Sequence, residues 1–300
     1  SDTVFDLASL TKVIATTTLV MRALESEQVR LSDQVSRFIP TWRGTDRAFV
    51  TLQDLLAHCS GLTAHLPFYL DSRGRAEFEP AIATTKLEYD PRERALYSDL
   101  GFMLLGFVIE DVGRADLGTQ FDLVCRVAGT SDLTYTPPRS WLTHTAPSGV
   151  SAWRGRRLTG EVHDDNCWAL GGLAGHAGLF GTAGGVGAFA RWLLQSLRGD
   201  APSPAATRST LHEFFTKTRV PGTSRALGWD TMLPTSSCGD RMSPSAVGHT
   251  GFTGTSLWID WERDAYFVLL TNRTWFGEAG DPIKRVRQAF HAAAIAALAG

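Results

Sequence analysis

The sequence predicts an α+β fold from three observations. Helical periodicities occupy the front of the chain, strand-like runs gather late, and one apolar-periodic helix closes it. The segment from Ser9 to Glu25 places Val13, Ile14, Val20, Met21 and Leu24 near the helical period. Val29 to Pro40 reads as a turn and a short amphipathic piece closed by proline, and Leu52 to Ala57 as a short helix stopped by Ser60-Gly61. Leu66 to Arg94 is rich in Pro, Arg, Glu and Gly without a clean period and reads as an irregular excursion. Leu100 to Val112 is apolar enough to be a buried helix.

Turn residues, Trp and Arg dominate Leu133 to Leu158, and the glycine-dense stretch Gly171 to Gly187 opens into a helix at Val186 to Leu197. A linker at Asp200 to Pro204 precedes a short helix over Thr207 to Phe215. Ala226 to Met232, Ser245 to Gly251, Gly254 to Trp261 and Ala265 to Asn272 read as strands. The last two alternate around the polar turn Glu262-Arg263-Asp264, which predicts an antiparallel hairpin. Pro282 to Leu298 reads as the closing helix. This order predicts a sheet region built from residues 1–51 and 166–300, with a mostly helical insert over residues 52–165.

Composition narrows the function. The chain has 300 residues, 43% hydrophobic and 20% charged, which is enough to bury a full core. A net charge of -2 with both signs interspersed provides no basic field for nucleic acid or an anionic membrane surface. The longest apolar runs, such as Phe102 to Ile109, are too short to span a bilayer. Cys59, Cys125, Cys167 and Cys238 form no CxxC pair and read as free, packed thiols. No metal-ligand spacing appears, and Gly171 to Gly187 lacks the lysine of a phosphate cradle, so no metal or organic cofactor is expected.

Three short motifs carry the chemistry. Ser9-Leu10-Thr11-Lys12 places a serine and a lysine on one side of a helix, with the serine in the first turn where free N–H groups favour negative charge. A serine hydroxyl needs a neighbouring base before it is a nucleophile. Read alone, the pair is also what a helix-capping serine and a solvated lysine look like. Tyr97-Ser98-Asp99 supplies a tyrosine that a nearby ammonium would help to ionise, making it a candidate proton acceptor. Tyr69-Leu70-Asp71 repeats that pattern, but Tyr97 leads directly into the apolar helix that would fix it. His249-Thr250-Gly251 lies on a strand, with side chains able to bond a substrate carboxylate and a glycine that permits close approach. The N–H of Phe252 would join that of Ser9 as an oxyanion hole.

In this order the motifs resemble the SxxK, YxN and KTG triplet of the superfamily of class C β-lactamases, penicillin-binding proteins and family VIII esterases. Leu55 to Leu62 (LLAHCSGL), Ala8 to Lys12 (ASLTK) and Tyr97 to Gly106 (YSDLGFMLLG) resemble further segments of that group. Gly160 to Asn166 (GEVHDDN) and Ala174 to Phe180 (AGHAGLF) bring it closest to penicillin-binding-protein 4B-like DD-peptidases. The resemblance implies a β-lactamase/transpeptidase-like fold and a serine hydrolase that passes through an acyl-enzyme on Ser9, with Lys12 and Tyr97 assisting. The implied substrate is a peptidoglycan peptide, an ester or another small molecule, and the implied place of action is periplasmic or extracytoplasmic. A carboxylesterase and a non-catalytic penicillin-binding sensor are the alternatives.

The chain departs from the β-lactamase pattern at Asp99, where Asn is usual, and at His249, where Lys is usual. Both changes make the surroundings of Ser9 more negative. At 4 Å and an effective dielectric near 20, two unit charges interact by about 4 kcal/mol. The changes predict weaker attraction for a substrate carboxylate and a charged Lys12, with Arg225 on a neighbouring strand able to restore positive charge. The family's two strands before SxxK have only eight residues to correspond to here, which predicts an open sheet edge beside the last helix. His163 to Asn166 reads as a solvated or hydrogen-bonded loop, which the resemblance would allow to line the cleft. His58 and His176 read as fixing loops through backbone hydrogen bonds, and the tryptophans as mostly core, with Trp153 or Trp229 able to wall an apolar acyl pocket.

Overall fold

A computed structural model describes residues 2–201, 204–276 and 282–298. The linker expected at Asp200 to Pro204 includes residues 202–203, which lie outside the described residues. The helical elements are α1 Thr17–Glu25, α2 Leu52–Leu56, α3 Gly74–Thr84, α4 Asp99–Gly113, α5 Leu117–Ala128, α6 Asp165–Ala169, α7 Ala183–Arg198, α8 Arg208–Phe215 and α9 Ile283–Leu298. The strands are β1 Phe5–Asp6, β2 Leu133–Thr134, β3 Gly149–Ser151, β4 Arg156–Leu158, β5 Phe180–Gly181, β6 Asp230–Thr231, β7 Val247–Thr250, β8 Ser256–Asp260 and β9 Ala265–Leu269. The α+β expectation holds, with every named strand pair antiparallel. No helix among the described residues is long and apolar enough to cross a membrane.

The larger sheet runs β6-β7-β8-β9, and its hairpin pairs Asp260 with Ala265 around the predicted polar turn. On its outer side β9 pairs with no further strand among the described residues, while α7 and α9 pack against it. The run read as a strand over Ala226 to Met232 shrinks to Asp230–Thr231. Its first half closes a turn, with Ala226 N–H donating to the Trp229 carbonyl and Gly228 at φ +83°. A second sheet, β1-β5-β2, ties the segment before Ser9 to the glycine-rich stretch by pairing Phe5 with Gly181 and Asp6 with Phe180.

Two helices lie where the periodicity predicts none. α5 buries Leu117, Phe121, Val124 and Cys125 along one stripe, starts on an Asp116 cap and ends at Gly129 in the left-handed region. α3 contains Pro80 and buries only Phe78 and Ile82, so its sequence reads as broken even though packing holds it helical.

The centre of the molecule is α4. It is apolar on nearly every face, and Leu100 to Leu105 are buried throughout, because α1, α2, α3 and α5 all pack on it. The glycine-rich stretch reaches this helix too. A Cβ on Gly175 would press into the Phe102 carbonyl oxygen and stand 2.9 Å from the Gly106 nitrogen, so only two glycines allow the backbones to meet. The closeness matters because the next carbonyl, that of His176, is turned toward Lys12.

Gly175→Ala should therefore destabilise the protein by about 1–3 kcal/mol, the usual range for overpacking a dense core. Urea unfolding measures this, and an unchanged midpoint would show that the loop is free to withdraw.

Candidate functional site

The site begins with a strained turn. Ala8 sits at φ +47°, which is uncommon for a residue with a Cβ, and Ser9 follows it at the mouth of the first helix. The turn is held from several directions. Asp6 Oδ1 accepts the Ala8 N–H at 2.8 Å, and Thr11 Oγ1 donates to the Ala8 carbonyl at 2.6 Å. From the end of β7, Thr253 Oγ1 donates to the Asp6 carbonyl at 2.7 Å, and Thr255 Oγ1 to that of Leu7 at 3.0 Å. Gly251 permits this approach, since a Cβ there would stand 2.6 Å from the Leu7 carbonyl oxygen. The close neighbour of Gly251 is thus the serine turn itself, rather than the ligand expected from the sequence.

Immediately after Ser9 the helix widens into a π-helical turn over Lys12–Thr16, in which the Thr17 N–H reaches back to the Lys12 carbonyl. Lys12 is fully buried. Its ammonium faces three acceptors, which are Ser9 Oγ at 3.0 Å, the His176 carbonyl at 2.9 Å and Asp99 Oδ1 at 2.7 Å. Burial works against the charge, but the Asp99 carboxylate and the Tyr97 hydroxyl more than offset it and hold Lys12 above the ordinary lysine value. Asp99 is held well below the ordinary carboxylate range, because Lys12 and the more distant His65, at 3.7 Å, overcome its own desolvation. The pair is thus an ammonium and a carboxylate.

Tyr97 lies beside Lys12 and Ser9, both of which favour its phenolate, and the ammonium lies 4.9 Å from its ring centre. The expectation that Lys12 would ease ionisation of the phenol is outweighed. Burial raises the Tyr97 pKa, Lys12 opposes the rise, and Asp99 adds to it, so the resting residue is a neutral phenol. Tyr69, the rival in sequence, sits further along the cleft wall against Trp153, with ring centres 4.8 Å apart.

His249 is buried, and its Nδ1 must carry the proton because its partner, the Thr250 carbonyl at 2.9 Å, only accepts. Burial, Arg225 and Lys12 push its pKa well below the usual histidine value. A neutral ring whose remaining nitrogen is an acceptor offers no bond to a carboxylate, so His249 does not replace the lysine of the KTG pattern. The cation is elsewhere. Arg225 places its guanidinium 5.1 Å from the centre of the Tyr97 ring, and no carboxylate pairs with it among the described residues.

Ser9, Tyr97 and Phe252 stand where two cavities adjoin. One, of about 480 Å³, is lined by Asp99, Asp164 and Asp165 together with His65, His163 and His176. The other, of about 310 Å³, is lined by Arg225, Arg273 and Arg287 with Thr250 and a single acid, Asp230. The cleft is therefore polarised across the serine. Neither the Ser9 nor the Phe252 N–H meets an acceptor within the chain among the described residues, which leaves both open toward a ligand.

The stretch from His163 to Asp165 lines the cleft, and Asn166 bonds both the Tyr69 N–H and the Leu66 carbonyl. His58 fixes a loop by accepting the Ser98 N–H at 3.0 Å. His176 differs from expectation in that its ring holds the Asp164 carboxylate at 2.9 Å. Trp229 walls no cleft, being wholly buried against Phe215. His65 and Asp6 carried no signal in the sequence, since neither belongs to a recognisable spacing.

If Asp99 sets the ionisation of this group, Asp99→Asn should make the Lys12–Tyr97 pair lose its first proton at lower pH, by about one unit or more. Ultraviolet titration of the phenolate, with Tyr97→Phe as the subtraction, reads the shift. An unmoved titration would place Asp99 outside the electrostatics of the pair.

Comparison with known proteins identifies the family and the fold. The Beta-lactamase family model matches residues 1–291. A protein of Escherichia coli strain K12 named putative D-alanyl-D-alanine carboxypeptidase is 29% identical over 305 residues, spanning 90% of this chain and 69% of its own length. Among solved structures, EstCE1, described as a hydrolase with promiscuous acyltransferase activity, superposes with a TM-score of 0.75 at 20% identity, over 97% of this chain and 85% of that one. A penicillin-binding-protein homologue from Caulobacter crescentus gives 0.75 at 19% identity, over 98% and 84%. A class C beta-lactamase gives 0.76 at 16% identity, over 97% and 82%. These likenesses establish the β-lactamase/transpeptidase-like fold, and with the family match over nearly the whole length they make the chain a serine hydrolase belonging to the Beta-lactamase family.

Proposed function

We propose that this hydrolase is a DD-carboxypeptidase acting through a Ser9 acyl-enzyme. The carrying observation is Arg225, a cation with no carboxylate partner among the described residues, lining the same cavity as Ser9 and Thr250. A half-buried guanidinium kept unpaired beside a nucleophile suits a substrate that brings its own carboxylate, as a peptide ending in D-alanine does. A neutral ester would leave that charge unused.

In this reading the Tyr97 phenol first gives up its proton to solvent, and Lys12 and Arg225 stabilise the phenolate so formed. Ser9 Oγ then attacks the carbonyl of the penultimate residue while its proton passes to that phenolate. The oxyanion accepts bonds from the Ser9 and Phe252 N–H groups. Tyr97 then returns the proton to the departing amine, and D-alanine leaves with its carboxylate against Arg225 and Thr250. Water hydrolyses the ester by the same proton route in reverse. The charged state of Lys12 supports Tyr97, rather than Lys12, as the acceptor. A small polarised cleft also favours a short peptide tail over a macromolecular surface.

Two measurements test this. Intact mass after incubation with benzylpenicillin should show one adduct, absent from Ser9→Ala; an adduct retained in the variant would remove Ser9 as nucleophile. Arg225→Gln should lower kcat/KM for a peptide ending in D-Ala-D-Ala about 100-fold, as expected for loss of a charge-assisted contact of about 2.7 kcal/mol. Turnover of a neutral nitrophenyl ester should change less than about threefold. Equal losses on both substrates, or activity on the ester alone, would favour the carboxylesterase reading. Acylation without turnover would favour a sensor.

A further inference from the structure

Asp6 is a buried charge that the mechanism above does not use. Its residue is 3% exposed, it lies three positions before Ser9, and its two carboxylate oxygens are divided between two segments of the cleft. Oδ1 accepts the Ala8 N–H at 2.8 Å, inside the strained turn that presents Ser9. Oδ2 accepts the His163 N–H at 2.6 Å, at the start of the stretch His163 to Asp165 that lines the same cavity as Ser9. The Asp6 main chain is fixed as well, by pairing with Phe180 and by the Thr253 hydroxyl, so the carboxylate is an anchored bridge.

We propose that Asp6 is a positioning residue that sets the Ser9 turn against the His163–Asp165 wall, and that only its ionised form does so. This rests on Ser9 being the nucleophile. A carboxylate accepts both N–H bonds with full charge assistance, whereas an amide nitrogen cannot accept and must lose one of them, and the hydroxyl oxygen of a carboxylic acid accepts only weakly. Releasing Ala8 lets the turn relax from its positive φ and carries the Ser9 oxygen out of line. Releasing His163 moves the wall against which the acyl part of the substrate lies.

Several charged or titratable groups face Asp6. Asp164 repels it, Arg154 attracts it, and the Cys167 thiol is raised in part by it, while His163 presents both its N–H and a ring that lines the cleft. Burial is the leading cause that lifts the Asp6 pKa, to about 6, ahead of the lowering by the two N–H bonds. An acid raised in the folded state makes the protein less stable as pH climbs from the unfolded value through the folded one. A carboxylate kept ionised at neutral pH against that gradient is what a catalytic requirement predicts and a purely structural role does not.

Asp6→Asn mimics the protonated state. The expected result at pH 7.5 is a loss of about 10- to 100-fold in kcat for ester hydrolysis with KM changed less than about threefold, and thermal stability held or raised. The parent-to-variant ratio of rates should fall toward one as pH drops through the Asp6 titration, which cancels the contribution of Tyr97 common to both. A ratio that stays flat with pH, or a variant with parental kcat, overturns the inference. If the variant does not fold, hydrogen exchange on the parent decides. The Ala8 and His163 amides, corrected for intrinsic exchange, should lose protection together below that titration, and pH-independent protection overturns the inference. A benzylpenicillin adduct that persists in Ser9→Ala overturns both this and the nucleophile assignment, whereas loss of that adduct with a normal Asp6→Asn rate overturns this alone.

Discussion

The ammonium of Lys12 is the charge around which the rest of the molecule is arranged. Moving an ion of that size from water to a protein interior costs several kcal/mol even after relaxation, so a wholly buried lysine needs strong compensation. Asp99, the His176 carbonyl and Ser9 provide it, and they arrive on three unconnected segments. Asp99 is delivered by the first turn of α4, which fixes that helix against the π-helical turn. The His176 carbonyl is delivered by a loop that only glycine at 106 and 175 allows so close. Much of the core packing around α4 can thus be read as the scaffold of one ion pair.

The same pair governs the phenol beside it. Asp99 stabilises the Lys12 charge and opposes negative charge on Tyr97, so the resting state is ammonium, carboxylate and neutral phenol. Arg225 also lies over the Tyr97 ring, and its charge depresses His58 and His249 as well. Two cations flanking one phenol, with two neutral imidazoles packed around it, form a site in which a phenolate is costly at rest yet has partners once it forms.

The sheet contributes geometry more than chemistry. Just past β7 comes Gly251, whose lack of a side chain lets Thr253 and Thr255 bond the carbonyls of Asp6 and Leu7. The strand that carries the third motif is consequently a clamp on the first one. Shared clamping explains how motifs far apart in sequence hold Ser9 at the junction of an acidic and a basic cavity.

The sequence by itself determined the class of chemistry and the order of the large elements. Ser9 and Lys12 stand out through a short fixed spacing, Tyr97 through the apolar helix that follows it, and α4 and the β8–β9 hairpin through periodicity that depends only on neighbouring residues. Tertiary structure alone decided the rest. The helix at Gly74–Thr84 exists because Phe78 and Ile82 find a core, despite Pro80. The two-residue strands β1, β2 and β5 are too short to show a period, and distant backbone partners define them. The protonation states of Tyr97 and His249 depend on burial and on charges brought from other segments, which no local spacing encodes. Asp6 is the sharpest case: in sequence it is one acid among many, and although its bond from the Ala8 N–H is local, the one from His163 exists only because the chain returns there.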